Sequence, residues 1–195
     1  AEAQALLDSY VTRREAREPV AHIVGERGFW NLVLKSDRRA LVPRPETEVI
    51  VDLILKNAEE ATPLRILDLG TGSGAILLAL LAERSQWSGI GIDVSAEALR
   101  LAEENAAMHN LTERTVFVQG SWVEDITGPF DVIVSNPPYI PSADIEGLDI
   151  DVRDHDPVLA LDGGDDGLEP YRHLFPLLPG LLKPWGLFAF EFGIG

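Results

Sequence analysis

Asn136-Pro137-Pro138-Tyr139 follows directly on the apolar run Phe130–Val134 and its Ser135. Neither proline has an N–H to donate, and their fixed φ holds the backbone carbonyls rigidly outward. The Asn136 side-chain oxygen and the Pro137 carbonyl can then accept one hydrogen each from a planar –NH2 group, while Tyr139 packs on its flat face. Pro138 completes the rigid kink. Such a set selects an amide or the exocyclic amine of a nucleobase. The nitrogen of either is a poor nucleophile, because its lone pair is delocalised. Two fixed acceptors aim that lone pair by positioning and preorganised electrostatics. No His or carboxylate lies inside the motif, and none is needed, since the nitrogen's proton turns acidic only as positive charge develops. Asn136, Pro137 and Tyr139 are the candidate catalytic residues, and with Pro138 the candidate substrate contacts.

A second constellation lies upstream. The run Asp68-Leu69-Gly70-Thr71-Gly72-Ser73-Gly74 ends an apolar stretch and opens a helical one. Glycines let the backbone turn tightly and approach a ligand closely. Their G-x-G-x-G spacing is not that of dinucleotide binders, and no Lys-Ser or Lys-Thr follows as a phosphate loop requires. Asp93, about twenty residues on, stands where a carboxylate can accept from both hydroxyls of a ribose. Either feature alone could serve packing or capping; together they mark a ligand site.

The elements that must position these residues alternate from Leu64 onward. LRILDL (64–69), SGIGID (88–93), TVFVQ (115–119), FDVIV (130–134) and LFAFEF (187–192) are short apolar runs of the kind parallel strands need when covered on both faces. Helices are expected over Ala75–Arg84, from a Ser95 cap to Asn110, and after Leu168, where Pro176 and Pro179 interrupt. The order predicts an α/β fold: a Rossmann-like, doubly wound, mostly parallel sheet with its ligand crevice beyond the strand carboxyl ends. Upstream, residues 2–16 carry Leu6, Leu7, Tyr10 and Val11 at helical spacing, and Glu18–Val42 suggests a strand or hairpin. Pro45, Glu46 and Glu48 open a further helix through Val49–Leu55. Residues 141–167, rich in Asp and Gly, are expected to be loop. LFAFEFGIG would leave an apolar strand with an open edge, so further strands are expected beyond it.

Composition narrows the classes. The 195 residues carry 16 basic and 32 acidic side chains, a formal charge of −16, which argues against a polyanionic partner. The Arg13, Arg14 and Arg17 patch reads as a solvated helix face. Without cysteine, disulfides and thiolate catalysis are excluded. The longest apolar run, Ala75–Ala82, is too short to span a bilayer, and no secretion-signal pattern opens the chain, so a cytoplasmic protein with no membrane contact is expected. No metal is expected either. Asp154, His155 and Asp156 read as a loop held by local hydrogen bonds, and Asp162–Gly167, lacking calcium-loop spacing, as a turn. His22, His109 and His173 have no evident partner.

The glycine loop and Asp93 together resemble the motifs of class I S-adenosylmethionine-dependent methyltransferases, over about Leu64 to Gly195. The resemblance implies S-adenosyl-L-methionine as cofactor and S-adenosyl-L-homocysteine as product. Gly70, Gly72 and Gly74 would face the methionine part, Asp93 the ribose, and Ser121 and Trp122 the adenine, with Asp68, Thr71, Ser73 and Asn136 as further cofactor-binding residues. More narrowly, LVPRPETE (41–48), DLGTGSGAI (68–76), SNPPYI (135–140), DVRDHDP (151–157) and ALDGGDDGLEPYR (160–172) resemble the release-factor glutamine methyltransferases, the PrmC/HemK family, in family order over nearly the whole chain. That implies methylation of the side-chain amide nitrogen (N5) of the glutamine in the Gly-Gly-Gln motif of class I peptide chain release factors, and a pocket lined by Arg44, Glu46 and Thr47. It also implies that residues 1–18 are a remnant of a helical substrate-docking domain, 19–44 a hairpin linker, and 45–195 a C-terminally incomplete methyltransferase domain, with a monomer expected. The Asn-Pro-Pro-Tyr stretch also occurs in N6-adenine and guanine-N2 nucleic-acid methyltransferases. The residues leave that alternative open; the charge weighs against it.

Overall fold

The computed structural model describes residues 2–59, 61–123 and 126–193. The chain opens with α1 (Glu2–Glu15), which buries no residue of its own, and α2 (Val20–Val24), which ends at Gly25. Strands β1 (Glu26–Phe29) and β2 (Leu32–Lys35) form an antiparallel hairpin. A 3-10 turn at Pro45–Thr47 leads into α3 (Glu48–Asn57), with proline at the start of the turn, where no N–H is missed. The α/β part follows as β3 (Arg65–Leu69), α4 (Ala75–Glu83), β4 (Ser88–Asp93), α5 (Ala96–Met108), β5 (Thr115–Gln119) and β6 (Phe130–Ser135). After α6 (Ile150–Arg153) come α7 (Glu169–Leu174), α8 (Leu178–Leu181) and β7 (Leu182–Phe190).

Strands β3 to β7 make one parallel sheet in the order β5-β4-β3-β6-β7. The chain winds outward from β3 to β5, then returns to the other side of β3 and winds out through β6 to β7. Strand order therefore reverses between β3 and β6, and an open α/β sheet has its natural ligand crevice beyond the carboxyl ends there. Asp68 lies in β3, Asn136 follows β6, and Asp93 ends β4.

Both faces of the sheet are covered, which explains the unbroken apolar strands. On one face α3, α4, α5 and the hairpin pack with Ile66 and Val132. On the other, Leu174, Leu178 and Leu181 from α7 and α8 pack on Leu67, Leu69 and Ile133. Helix α4 is apolar all round because it lies between the sheet and α3, and Leu77, Leu78, Leu80 and Leu81 are fully buried. Each such side chain contributes about 1.5–3 kcal/mol through burial. The hairpin is tied to this layer by Trp30, whose N–H donates to Glu48 (2.9 Å) and whose indole donates to Glu83 (2.8 Å).

Four expectations shift. Strand β7 begins at Leu182, earlier than the apolar run suggested, because pairing with β6 resumes on both sides of an irregularity that leaves Trp185 99% exposed. Residues 141–167 are not plain loop; they hold 3-10 turns at Ser142–Gly147 and Val158–Ala160 around α6, started by Pro141 and Pro157. The arginine patch is not merely solvated. Arg13 pairs with Glu18 (2.6 Å), while Arg14 and Arg17 grip Asp151 at 2.6 and 2.7 Å, which ties α1 to α6. His155, expected in a loop held by local hydrogen bonds, instead has its Nδ1 buried without a partner among the described residues, as are both ring nitrogens of His22. Strand β7 closes the order and pairs with β6; Ile194 and Gly195, which end the expected open-edged strand, lie outside the described residues.

Candidate active site

Two cavities meet at the carboxyl ends of β3 and β6. The larger, about 560 Å³, is bounded by Gly70–Ser73, Asp93, Ser121 and Trp122. The smaller, about 300 Å³, is bounded by Tyr139, Glu46, Leu148, Val152 and Glu191. Leu41, Arg44, Asn136 and Ala160 line both.

The loop after β3 is built by its own hydrogen bonds. Thr71 N–H donates to the Ile92 carbonyl (2.8 Å), tying the turn to β4. Asp93 accepts from Gly72 N–H through one oxygen and from Ser95 N–H through the other, both at 2.9 Å. Ser95 then caps α5 by accepting from Ala98 N–H. Asp93 thus organises the loop and still presents free lone pairs to the cavity it lines. Burial raises its pKa. Gly70 (φ 69°) and Gly72 (φ 55°) sit in the left-handed region, and a Cβ on Gly70 would face the Trp122 ring at 4.0 Å across the crevice. Behind them Asp68 is buried. One of its oxygens accepts from Thr71 Oγ1 (2.7 Å). The other has no hydrogen-bond partner among the described residues.

Asn136 is held from the side of α3. Its Nδ2 donates to Thr47 Oγ1 at 3.1 Å, and Thr47 Oγ1 donates to Glu191 Oε2 at 2.6 Å. Tyr139 OH donates to the other Glu191 oxygen at 3.1 Å. Burial, with the Glu191 carboxylate adding to it, pushes the Tyr139 hydroxyl up to about 12, so this phenol stays protonated and is no base near neutrality. Ser135 Oγ donates to the Leu69 carbonyl (2.6 Å) and locks the two strand ends together.

The segment 158–167 braces this motif from behind. Ile140 makes two backbone bonds to this segment: its N–H donates to Leu161 O (3.0 Å) and its carbonyl accepts from Gly163 N–H (2.8 Å). Arg44 is anchored on the buried Asp156 carboxylate at 2.5 Å, which also accepts from Val42 N–H (3.2 Å). Asp156, read from sequence as a loop residue, is in fact the buried anchor of an arginine shared by both cavities.

The structure brings Gly70, Thr71, Gly72, Ser73, Asp93, Ser121, Trp122, Asn136 and Pro138 to the larger cavity. Tyr139 lies on the smaller one. Three of the sequence candidates line neither. Pro137 is buried in the wall. Gly74 faces Leu78 and Ala102, letting α4 and α5 approach. Asp68 sits beneath the loop. Of the pocket residues suggested by resemblance, Thr47 and Arg44 line the larger cavity and Glu46 the smaller. Glu191 was missed; its signal was a lone carboxylate inside the apolar run LFAFEF. Glu169 and Pro170, read within the motif of residues 160–172, and His173, read as having no evident partner, also line the larger cavity. Among the described residues no group of three or more His, Asp or Glu side chains could hold a metal, and no helix is long and apolar enough to cross a membrane.

Fold and crevice agree with a family model described as methyltransferase small domain, which matches residues 47–148. Among solved structures, an S-adenosylmethionine-dependent methyltransferase from Agrobacterium tumefaciens shares the fold at TM-score 0.61 and 18% identity, over 86% of this chain and 52% of that one. The catalytic domain of hMettl16, solved with an RNA hairpin, does so at TM-score 0.63 and 17% identity, over 88% and 66%. The sequence matches are closer. A release factor glutamine methyltransferase of Caulobacter vibrioides is 53% identical over 99% of this chain and 67% of its own length. One of Rhodospirillum rubrum is 53% identical over 100% and 59%. The chain belongs to the release factor glutamine methyltransferase family. It spans about three fifths to two thirds of the length of these two relatives.

Proposed function

We propose that this protein transfers a methyl group from S-adenosyl-L-methionine to the side-chain amide nitrogen (N5) of the glutamine in the Gly-Gly-Gln motif of class I peptide chain release factors. One observation carries the reading: Asn136 stands where a cofactor-sized cavity and a smaller acceptor cavity meet, and lines both. The identity to relatives of that name supports the choice of glutamine over a base amine.

The larger cavity falls within the range of small-molecule sites, and its residues fit the cofactor. Two left-handed glycines open a cradle that a side chain would fill. A partly buried carboxylate, Asp93, has free lone pairs for ribose hydroxyls, and the Trp122 ring offers a flat apolar face. When bound, S-adenosyl-L-methionine supplies an electrophilic methyl group on a positively charged sulfur. The chain does the rest by positioning. Asn136 accepts a hydrogen from the substrate amide and holds its nitrogen at the junction. Tyr139 forms the wall against which the flat amide lies. The second acceptor of the motif, the Pro137 carbonyl, belongs to a residue buried in the wall, so Asn136 carries the larger share of the reading. On the same reading the protein works in the cytoplasm as a metal-free monomer, residues 1–18 are the remnant of a substrate-docking domain, and 19–44 are a hairpin linker to the methyltransferase domain of 45–195.

The test supplies labelled cofactor with a release factor and, in parallel, with its Gln→Glu variant. Label on the first alone is expected. Label on both, or on neither while nucleic acid is labelled, overturns the substrate. Asn136→Ala is expected to lower kcat far more than cofactor affinity; an equal loss of both would make Asn136 a binding residue only.

A further inference from the structure

The polarity of the Asn136 amide is decided by a proton count. Thr47 Oγ1 carries one hydrogen and gives it to Glu191 Oε2 at 2.6 Å. An ionised carboxylate can only accept, so that hydrogen has no other direction to take. Toward Asn136 the Thr47 oxygen therefore has only lone pairs, and the amide atom 3.1 Å away must be the NH2 group. The Asn136 oxygen is left for the cavities. Glu191 itself is immobilised at four points. Its N–H donates to the Ser135 carbonyl (3.0 Å), its own carbonyl accepts from Tyr171 OH (2.7 Å), and its two carboxylate oxygens take Thr47 and Tyr139.

We infer that Glu191, acting through the buried hydroxyl of Thr47, is the positioning residue that fixes Asn136 as an acceptor and so makes the smaller cavity select –NH2 groups over carboxylates. The inference rests on the amide-methylation reading above. A carboxylate entering in place of the amide meets the Asn136 oxygen with no proton between them, an unpaired arrangement that a site built for a hydrogen bond rejects strongly. If Asn136 were free to turn over, its NH2 would welcome that carboxylate. Selection between glutamine and its deamidated form is thus made by the Asn136 oxygen and set by two positioning residues, neither of which needs to touch the reacting nitrogen. The same contacts hold Tyr139, so acceptor and wall move together.

The test uses Thr47→Val, which removes the hydroxyl at similar volume, Thr47→Ser, which keeps it, and Glu191→Gln, which replaces one acceptor by a donor. Each is assayed with a release factor as substrate and with its Gln→Glu variant as competitive inhibitor, alongside cofactor binding and Tm. Thr47→Val and Glu191→Gln are expected to lower kcat by about 10- to 100-fold, the scale of one buried hydrogen bond lost. Cofactor Kd should hold within about twofold and inhibition by the Glu variant should tighten, while Thr47→Ser stays close to the parent. Unchanged kcat and inhibition in both, or Thr47→Ser failing like Thr47→Val, overturns the inference. If Thr47→Val does not fold, Glu191→Gln decides by the same readings. A parent protein that binds the cofactor but leaves the release factor unlabelled refutes the substrate reading instead, a result the variants cannot mimic.

Discussion

Asp68 is a buried acid with one oxygen on the Thr71 hydroxyl and the other without a partner among the described residues, and burial pushes its pKa up to about 7. A raised carboxylate pKa means that the folded chain holds a proton the unfolded chain has already lost. Stability therefore falls as pH rises from about 4, the unfolded value, to about 7, and is level above that. The ligand-free protein should show a Tm that declines across this window, and Asp68→Asn should flatten the decline. A Tm with unchanged slope in the variant would mean that another group carries it. At this scale the sequence was most legible where partners are close in the chain. Asp93 reaches Gly72 and Ser95, 21 and 2 residues away, and the loop and Asn136 to Tyr139 announce themselves by composition. Glu191 could not be read in the same way, because its hydroxyl partner Thr47 lies 144 residues away and only the sheet brings them together.

At the scale of elements, the strands and helices followed from apolar periodicity, since a parallel sheet covered on both faces needs runs such as RILDL and AILLALL. The segment 141–167 was harder, because its order comes from the motif it braces. Gly163 packs where an added Cβ would lie 2.8 Å from the Cα atoms of Tyr139 and Gly167. Gly167 has φ 74°, and its Cβ would collide with the Tyr139 carbonyl. Gly167→Ala is thus expected to destabilise the fold by about 1–3 kcal/mol through strain and overpacking, and to lower turnover by displacing Tyr139. Denaturant unfolding and a kcat measurement check the two halves separately. Loss of stability with an undisturbed kcat would leave the brace a purely structural one.

For the whole molecule, a formal charge of −16 sets the far field. A long polyanion is repelled, so excess RNA should leave transfer to a release factor unchanged at low and at moderate salt. Inhibition that fades as salt rises would be the sign of phosphate contacts. The sheet order places the site's parts unequally along the chain. The glycine loop, Asp93 and Trp122 all precede residue 123, whereas Asn136 is oriented by Glu191, just past the end of β7. Chains are synthesised from the amino end and fold as they emerge. A nascent chain therefore makes one side of its larger cavity, from the glycine loop to Trp122, well before it owns the means to tell an amide from an acid. The arrival of Glu191, just past β7, then sets the orientation of Asn136 in a crevice already begun.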